Sequence, residues 1–382
     1  MTRRLPVLAC FAVLAAASAG CAPQGPAAST SPSATSTPAT PDTAASTAPI
    51  PIRVVVVTTF ELGSDTGDRP GEFQRWVEKL PLREVLPNPA GYRPLRINRE
   101  LGVLGIVTGE GPTRAAASIT ALGHDGRFDL SHAYVVLAGI AGIDPHFGSP
   151  GAAVWAPHVV DGDLAHEIDA REIPAGWSTG YLPLQRATPF EQPVPPADSI
   201  SGTMVYTLDP GLVRWAYALT RDIRLPDPSG LAALRARYRG FGDGERPARV
   251  QMGDTLAAGT FWVGGRMNEW AENWVRYWTH DEGRFATTAE EDAGMMQALS
   301  FLAQARLVDL RRVLVLRTAS NYDMPPPGQT PAALLASEAN PGGGGYSGFM
   351  PAVDAAFDVG SVVVRELATH WDRYRDQVPA SR

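Results

Sequence analysis

The chain has 382 residues, 44% of them hydrophobic and 19% charged, which allows one large α/β domain or two ordinary domains. Its net charge of -7 at pH 7 argues against a general nucleic-acid-binding protein, because such proteins are usually basic. Only two cysteines are present, Cys10 and Cys21, which excludes a structural zinc–thiolate site.

Residues 1–20 have the layout of a secretory signal peptide, with two arginines, an apolar run and then small residues. Cys21 follows a Ser-Ala-Gly sequence similar to a bacterial lipobox, although leucine is usual at the position of Ser18. Lipidation of Cys21 is therefore expected, with plain cleavage after Ala19 as the alternative. Both predict an exported protein, either anchored by lipid to the outer face of the cell membrane or located in the periplasm.

Residues 21–51 consist almost wholly of Ala, Ser, Thr and Pro. Such a segment buries too little apolar surface to offset the entropy of ordering, so it predicts a disordered tether. The pattern changes at Ile52, and residues 52–378 are predicted to form the folded domain. Beyond the signal peptide, no stretch has the roughly 18 consecutive apolar residues that a membrane span requires.

The first predicted element is a strand at 52–60, whose continuous β-branched run suits a strand buried on both faces. A helix with apolar spacing follows at 71–80, then a strand at 101–109, a helix at 113–122 and a strand at 133–142. The remaining predicted elements are a strand at 151–160 that is antiparallel or at a sheet edge, helices at 210–222 and 229–238, a strand at 247–254, helices at 266–278 and 288–306, a strand at 311–320 and a closing helix at 351–375. This alternation predicts an α/β fold with a mostly parallel sheet.

Four predicted strand ends carry residues suited to binding, at 58–61, 108–114, 139–148 and 318–323. In α/β sheets ligands bind beyond the carboxyl ends of the strands, so these ends predict the rim of a single cleft. In 108–114, two glycines and a proline lead into an alanine-rich helix. Such a turn leaves bare backbone N–H groups at a helix N-terminus, where anions or hydroxyls bind. An ordinary tight connection is the alternative.

The order of several segments resembles the purine nucleoside permease family, part of the nucleoside phosphorylase superfamily. The similarity covers about 52–375, essentially the whole predicted domain. Its segments are "GEGPTRAAASI", "VVLAGIAGIDPHFGSPGAAVWAPHVVDGDLAHEID", "MGDTLAAGTFWVGGRMNEWAENW", "TTAEEDAGMMQAL" and "RTASNYD". The resemblance implies a three-layer α/β/α fold with a central mixed, mostly parallel sheet, and a purine nucleoside or nucleobase as the ligand.

The resemblance also implies which residues surround the ribose. One carboxylate among Glu290, Glu291 and Asp292 should hold the ribose 2′- and 3′-hydroxyls, because a carboxylate accepts both O–H groups at once. Glu291 or Asp292 is favoured, and a solvated helix start is the alternative for all three. The residues implied at the ribose and phosphate turn and at the following strand end are Gly109, Gly111, Thr113 and Gly139.

For the base, Asn321 matches the position at which this superfamily has Asp or Asn. Its amide donates and accepts, so it can bind N7 and a 6-substituent together. The alternative is a turn residue before Tyr322. The candidate walls for base and sugar are Asp254, Thr255, Phe261 and Trp262. Core packing is the alternative for the tryptophans within 262–278.

Two positions bear on whether the protein could use phosphate or water to cleave a nucleoside. Leu137 and Ala138 stand where the phosphorylases commonly have an arginine, and without that cation a phosphate loses its main charge-assisted contact. Arg114 is a candidate substitute. The superfamily's hydrolases use a glutamate at the start of the first helix to activate water, and Glu72 stands there. Glu61 is the competing candidate, and a glutamate that merely stabilises the helix dipole is the structural alternative.

These residues allow two functions. One is a purine nucleoside-binding lipoprotein that takes part in nucleoside uptake together with a separate membrane transporter. The other is an enzyme that splits the N-glycosidic bond of purine nucleosides, with Glu72 and Asn321 as catalytic residues and water rather than phosphate as the acceptor. No cofactor, metal or nucleic acid is expected, and an oligomer is compatible with the sequence. Residues 340–349 are rich in glycine and are expected to form a flexible loop or lid.

Overall fold

The computed structural model describes residues 48–184, 186–189, 204–338 and 348–380. Its strands are β1 (Ile50–Pro51), β2 (Val54–Thr58), β3 (Glu84–Leu86), β4 (Leu95–Asn98), β5 (Val103–Val107), β6 (Phe128–Asp129), β7 (Tyr134–Ile143), β8 (Ala153–Trp155), β9 (His158–Asp161), β10 (His166–Glu167), β11 (Tyr181–Leu182), β12 (Val205–Thr207), β13 (Val250–Met252), β14 (Asp254–Ala257), β15 (Phe285–Ala289) and β16 (Val313–Tyr322). Its α-helices are α1 (Gln74–Lys79), α2 (Pro112–Gly123), α3 (Pro210–Thr220), α4 (Ser229–Arg235), α5 (Gly265–Trp278), α6 (Asp292–Gln304), α7 (Pro331–Glu338), α8 (Phe349–Thr369) and α9 (Trp371–Tyr374).

Regular structure begins inside the segment predicted as a tether. β1 pairs in parallel with β6, and the Ile50 N–H donates to the carbonyl of Arg127 at 2.8 Å. The folded chain therefore starts before the predicted boundary at Ile52. The predicted signal peptide, Cys21 and most of the tether lie outside the described residues, as does most of the glycine-rich segment 340–349.

The β-branched run of β2 lies at the centre of a 12-stranded sheet, and all five of its residues are buried. β5 and β7 flank it in parallel, and β16 pairs in parallel with the other edge of β7. A strand covered on both faces accommodates apolar side chains at every position, which is why its sequence lacks the alternation of a half-exposed strand.

Antiparallel strands extend this parallel centre. β4 and β3 follow β5 at one end of the sheet, and β12 pairs with β9 at the other. β15 and β8 are also antiparallel where they meet β7 and β16. The prediction of an α/β fold with a central mixed sheet is confirmed. Antiparallel pairs are more frequent than expected, because β3, β4, β12 and β15 were not recognised in the sequence.

The single strand predicted at 151–160 is instead two strands, β8 and β9. Neither lies at an edge, because β8 pairs with β13 and β16, and β9 pairs with β12 and β14. Pro157 separates the two strands, and a proline lacks the N–H that a continuous ladder would use at that position. Of the two predicted arrangements the antiparallel one is confirmed, through β8 with β16 and β9 with β12, and the edge position is wrong.

Helices cover the sheet and enclose its core. α8 packs against β16 and β7, and α2 packs against α6. A second apolar cluster forms around α5, where the rings of Trp270 and Trp274 are 5.6 Å apart between centroids. Trp262 joins this cluster with its ring centroid 6.1 Å from that of Trp270. Trp270 and Trp274 are therefore core residues, as in the packing interpretation of 262–278.

An interruption in the pairing of β7 opens the sheet. β7 pairs with β2 up to Leu137 and with β15 from Gly142 onward. Between these residues, no described strand pairs with that edge of β7. The Ile140 N–H in this gap donates instead to the side chain of Glu72 at 2.6 Å. A polar side chain thus enters the sheet where two strands part.

Gly105 on β5 provides a test of the packing beneath α1. A Cβ at this position would lie 2.7 Å from the ring of Phe73 and 2.8 Å from a methyl group of Leu82. We predict that Gly105→Ala lowers the free energy of unfolding by about 1–3 kcal/mol, the typical cost of overpacking. Gly126→Ala is the matched control, since no atom lies within 4 Å of its Cβ. Denaturant unfolding of both variants measures the difference, and equal stability would contradict this packing.

Candidate functional site

A cavity of about 430 Å³ lies at the carboxyl ends of the central strands. All four predicted strand ends contribute to it, through Thr59 after β2, Glu110 after β5, Ile140 on β7 and Asn321 on β16. The structure therefore brings together segments that are far apart in sequence. Its lining residues are Thr59, Phe60, Leu62, Arg69, Glu72, Glu110, Ile140, Ala141, Gly142, Thr260, Phe261, Trp262, Thr288, Ala289, Glu290, Glu291, Ser320, Asn321 and Phe349.

Glu72 lies in the wall of this cavity, just before α1, and is 1% exposed. One carboxylate oxygen accepts hydrogen bonds from the backbone N–H and the hydroxyl of Thr59, at 2.7 and 2.9 Å. The other accepts from the Ile140 N–H. Burial raises the pKa of Glu72 to about 7, against the opposing effect of the Arg317 charge. Its protonation state therefore changes near neutral pH.

Glu61, the competing candidate, has a structural role. Its carboxylate accepts hydrogen bonds from the backbone N–H groups of Gly71, Phe73 and Gln74, so it caps the start of α1. Glu61 does not line the described part of the cavity. Between the two glutamates, the geometry favours Glu72.

Arg317 lies beneath the cavity, and no role was predicted for it from the sequence. It is 1% exposed on β16, and its guanidinium bonds both carboxylate oxygens of Asp292 at 2.9–3.1 Å. It also donates to Glu291 at 2.8 Å and to the carbonyl of Ile140 at 2.9 Å. Burial lowers the pKa of Arg317, but the neighbouring charges of Asp292, Glu291 and Glu72 raise it by a larger amount. The net pKa lies above the ordinary value for arginine, so the guanidinium stays charged. In the sequence, a single arginine within the apolar strand segment "VLVLRTAS" was the feature that could have indicated a buried charge network.

The three acidic residues at the start of α6 have different environments. Asp292 is fully buried against Arg317 and does not line the cavity, so the expectation that it contacts the ribose is corrected. Glu291 does line it, while one of its oxygens accepts from the Gly111 N–H at 3.1 Å. Glu290 lines it and is half-buried. Burial, with the charges of Glu291 and Glu110, raises the pKa of Glu290 to about 7.

Asn321 lies in the cavity wall at a β-bulge of β16 and is 5% exposed. Its carbonyl oxygen accepts from the Ser320 hydroxyl at 2.7 Å, and its amide donates to the Tyr322 carbonyl at 3.1 Å. The amide group is therefore held in one orientation. One amide hydrogen and one carbonyl lone pair remain available for a ligand.

Aromatic side chains form much of the apolar wall. Phe261 and Trp262 line the cavity, as expected, together with Phe60 and Phe349, whose ring centroids are 6.1 Å apart. The guanidinium of Arg69 lies 5.4 Å from the centroid of the Phe349 ring. Among the described lining residues, Arg69 is the sole cation, against four glutamates. The cavity therefore combines apolar walls with an excess of negative charge.

Two predicted wall residues lie elsewhere. Asp254 begins β14, whereas Thr260–Trp262 follow the carboxyl end of the same strand and reach the cavity. The Asp254 carboxylate bonds His158, at 2.8 Å to the ring and 2.9 Å to the backbone N–H. Thr255 is fully buried within β14. The prediction that Asp254 and Thr255 contact base or sugar is therefore corrected.

The glycines of the predicted site act through the backbone. Gly109 and Gly111 have positive φ angles of 86° and 88°, which form the turn before α2, and neither these two nor Thr113 is a lining residue. A Cβ at Gly139 would lie 2.6 Å from the Arg317 guanidinium and 2.8 Å from the Glu72 carboxylate. Gly139 therefore permits the close approach of these two side chains beneath the cavity.

The strand end at which the resemblance would place a phosphate-binding arginine carries none. Leu137 and Ala138 are fully buried and apolar, as their sequence predicts. Arg114, the candidate substitute, donates to the carbonyl of Glu110 at 2.9 Å and does not line the cavity. A phosphate at the predicted place would meet no arginine from either segment.

Comparisons with known proteins agree with the residue patterns. The family model described as purine nucleoside permease matches residues 51–379. A probable purine nucleoside permease of Schizosaccharomyces pombe is 29% identical over 73% of this chain and 80% of the relative. A purine nucleoside permease of Candida albicans is 26% identical over 84% of this chain and 76% of the relative.

Among solved structures, a 5′-methylthioadenosine/S-adenosylhomocysteine nucleosidase from Neisseria meningitidis is similar with a TM-score of 0.45 and 13% identity. The match covers 83% of this chain and 99% of that one. The corresponding nucleosidase from Helicobacter pylori has a TM-score of 0.46 and 12% identity, over 82% of this chain and 98% of the other.

These relatives contradict the localisation predicted from the N-terminus. They are fungal proteins named as permeases, and that finding does not support an exported protein in the periplasm or on the outer face of a cell membrane. The prediction was based on the pattern of residues 1–20, on Cys21 and on the tether that follows it, and residues 1–47 lie outside the described structure. Within the described residues, the structure has no helix with the length and hydropathy needed to cross a membrane.

The charge network beneath the cavity is open to a direct test. Arg317→Met leaves Glu291 and Asp292 buried without their cation, so we predict a loss of about 3–5 kcal/mol in the free energy of unfolding. Arg311→Met is the control, because Arg311 pairs with Asp309 at the surface, where an ion pair contributes little. Denaturant unfolding compares the two, and similar stabilities would show that the buried network does not hold the site.

Proposed function

Because the chain belongs to the purine nucleoside permease family, we propose that its cavity binds a purine nucleoside. The observation that carries this proposal is the meeting of Glu290, Glu291 and Asn321 with aromatic walls in one cavity. Its volume of about 430 Å³ lies within the range of small-molecule sites, roughly 300–1,000 Å³. The names of the fungal relatives supply the ligand class and the context of nucleoside uptake.

The base is assigned to the apolar side of the cavity. Phe261 and Trp262 offer ring surfaces, and aromatic rings favour offset or edge contacts with other rings. The Asn321 amide, held by Ser320 and Tyr322, has one N–H and one lone pair left for a purine edge. A fixed amide loses little conformational entropy when a ligand binds, which favours affinity.

The ribose is assigned to Glu290 and Glu291. Each carboxylate oxygen has two lone pairs, so Glu291 can accept a sugar hydroxyl while it bonds Arg317 and Gly111. Glu290 lines the cavity beside it. Two adjacent carboxylates match a vicinal diol, whose two O–H groups both donate. Of the two acids favoured by the sequence, the assignment keeps Glu291 and replaces Asp292 with Glu290.

Calorimetry with inosine, adenosine, guanosine and uridine tests the binding proposal. We predict that Glu290→Gln weakens nucleoside binding about tenfold or more and spares the free base, because a hydrogen bond to a charged group is worth about 1.5–3 kcal/mol. Asn321→Ala should weaken nucleoside and base alike. Glu172→Gln, at the exposed surface, is the control.

Absence of heat and of any thermal shift with all four nucleosides would overturn the proposal. Equal effects of Glu290→Gln on nucleoside and base would overturn the ribose assignment alone.

A second function, hydrolysis of the N-glycosidic bond, is favoured by one observation: the buried carboxylate of Glu72 in the cavity wall has a pKa raised by burial to about 7. A base with its pKa near the working pH is suited to proton abstraction from water. In this reaction the water oxygen bonds the anomeric carbon, and its proton passes to Glu72. The C–N bond breaks, and its electron pair leaves with the base, which Asn321 hydrogen-bonds.

Water is favoured over phosphate as the acceptor. Phosphate needs a strong cationic contact, and the strand end carries Leu137 and Ala138. A phosphate dianion would also be repelled by the four glutamates that line the cavity. A neutral water experiences no such repulsion, and Glu72 can orient it.

The hydrolytic proposal predicts a pH profile. The base must be ionised, so turnover of inosine should rise with pH and level off above an inflection near the pKa of Glu72, about 7. Glu72→Gln should abolish turnover and retain nucleoside binding, as measured by release of free base and by calorimetry. Adding phosphate to the wild-type assay is the control and should change nothing. Ribose 1-phosphate among the products, or full activity of Glu72→Gln, would contradict this chemistry.

A further inference from the structure

A second cavity lies apart from the one at the carboxyl ends of the central strands. Its volume is about 420 Å³, within the range of small-molecule sites, roughly 300–1,000 Å³. It borders β13 and the residue that precedes β15, and none of its lining residues lines the first cavity. The second cavity is therefore a separate place where a ligand could bind.

Three arginines from separate parts of the chain line the second cavity. Arg221 follows α3, Arg249 precedes β13 and Arg284 precedes β15. Hydrogen bonds hold two of these backbones in place: the Arg249 carbonyl accepts from the Ala153 N–H at 3.2 Å, and the Arg284 N–H donates to the Asp254 carboxylate. The fold thus brings together cations that are far apart in sequence.

Two aspartates in the cavity wall neutralise these arginines only in part. Arg249 is 3.2 Å from the Asp243 carboxylate, which Arg246 also approaches, at 3.5 Å. Arg221 is 3.6 Å from Asp222, and both side chains are exposed, so this pair contributes little energy. One carboxylate shared by two guanidinium groups leaves positive charge available to a ligand.

Arg284 carries the least compensated charge. No carboxylate among the described residues pairs with its guanidinium, which lies 4.8 Å from the centroid of the Phe147 ring and donates to the His146 carbonyl at 3.3 Å. A guanidinium over a ring face keeps N–H groups free at its edges, where a second acceptor can bind.

The segment around this cavity is basic, although the protein as a whole is acidic. Residues 210–250 contain eight arginines and no lysine, against three aspartates and one glutamate, while the whole chain has a net charge of -7. A local excess of positive charge attracts anionic ligands. Arginine also suits phosphate better than lysine does, because its planar group donates two parallel hydrogen bonds to phosphate oxygens.

Apolar side chains lie beside the arginines. Phe147, Tyr217 and Met252 line the same cavity. Phe147 is buried and the other two are partly buried. Inorganic phosphate would leave these apolar surfaces in contact with water, whereas a phosphate attached to an organic group would cover them.

We propose that the second cavity binds a phosphate monoester. Arg249 and Arg284 contact the phosphate, and Phe147, Tyr217 and Met252 contact its organic group. This site is independent of the proposed nucleoside site, because the two cavities share no lining residue.

Calorimetry on the whole protein with phenyl phosphate tests the proposal. This probe joins a phosphate to an apolar ring and contains no nucleoside. We expect saturable binding with about one equivalent, tighter than the binding of inorganic phosphate. Arg249→Met and Arg284→Met should each weaken it about tenfold or more, because each removes charge-assisted hydrogen bonds.

Arg171→Met is the matched control, since Arg171 pairs with Asp169 at the exposed surface and lines neither cavity. Asn321→Ala should also bind phenyl phosphate as the wild type does, whatever its effect on nucleosides. Arg221→Met, whose side chain is exposed, replaces either variant if that variant fails to fold.

Absence of saturable binding, or wild-type affinity in the arginine variants of the cavity, would overturn the proposal. Inorganic phosphate bound as tightly as phenyl phosphate would overturn the assignment of the organic group to the apolar walls.

Discussion

The buried charge of Arg317 is the constraint on which the site depends. A guanidinium inside a sheet is tolerated only when its charge and its donors are satisfied, and here Asp292, Glu291 and the carbonyl of Ile140 do so. These contacts link β16 to the start of α6 and to β7. They fix Glu291 at the cavity wall and leave Asp292 behind it. The arrangement explains why adjacent acids have different environments.

Glu72 occupies the position where this network meets the open part of the sheet. The parting of β2 and β15 along β7 leaves the Ile140 N–H without a strand partner among the described residues, and Glu72 takes that hydrogen bond. Gly139 removes the side chain that would otherwise separate Glu72 from Arg317. A carboxylate with a near-neutral pKa is thereby placed beside aromatic walls suited to a base. The proposed binding and the proposed hydrolysis would use the same geometry, and they would differ in whether Glu72 moves a proton.

Much of the fold followed from local sequence patterns. Short, mostly apolar runs predicted β2, β5, β7 and β16, and the residues at their ends predicted where a cavity forms. Non-local features were not accessible: the pairing of Arg317 with Asp292 joins separate elements, and a one-residue register decides which acid of α6 faces the cavity. The prediction for Asp254 is corrected because the predicted strand 247–254 ended at this residue, whereas in the structure Asp254 begins β14, at the end of that strand away from the cavity. The localisation failed because its whole basis was the composition of the N-terminal segment, residues 1–51.

A crystal structure of the protein grown with inosine tests the central claim most directly. The account predicts the base between Phe261 and Trp262 with its edge on Asn321, the ribose hydroxyls on Glu290 and Glu291, and the anomeric carbon facing Glu72. Nucleoside density at another place on the protein, with this cavity filled by solvent alone, would contradict it.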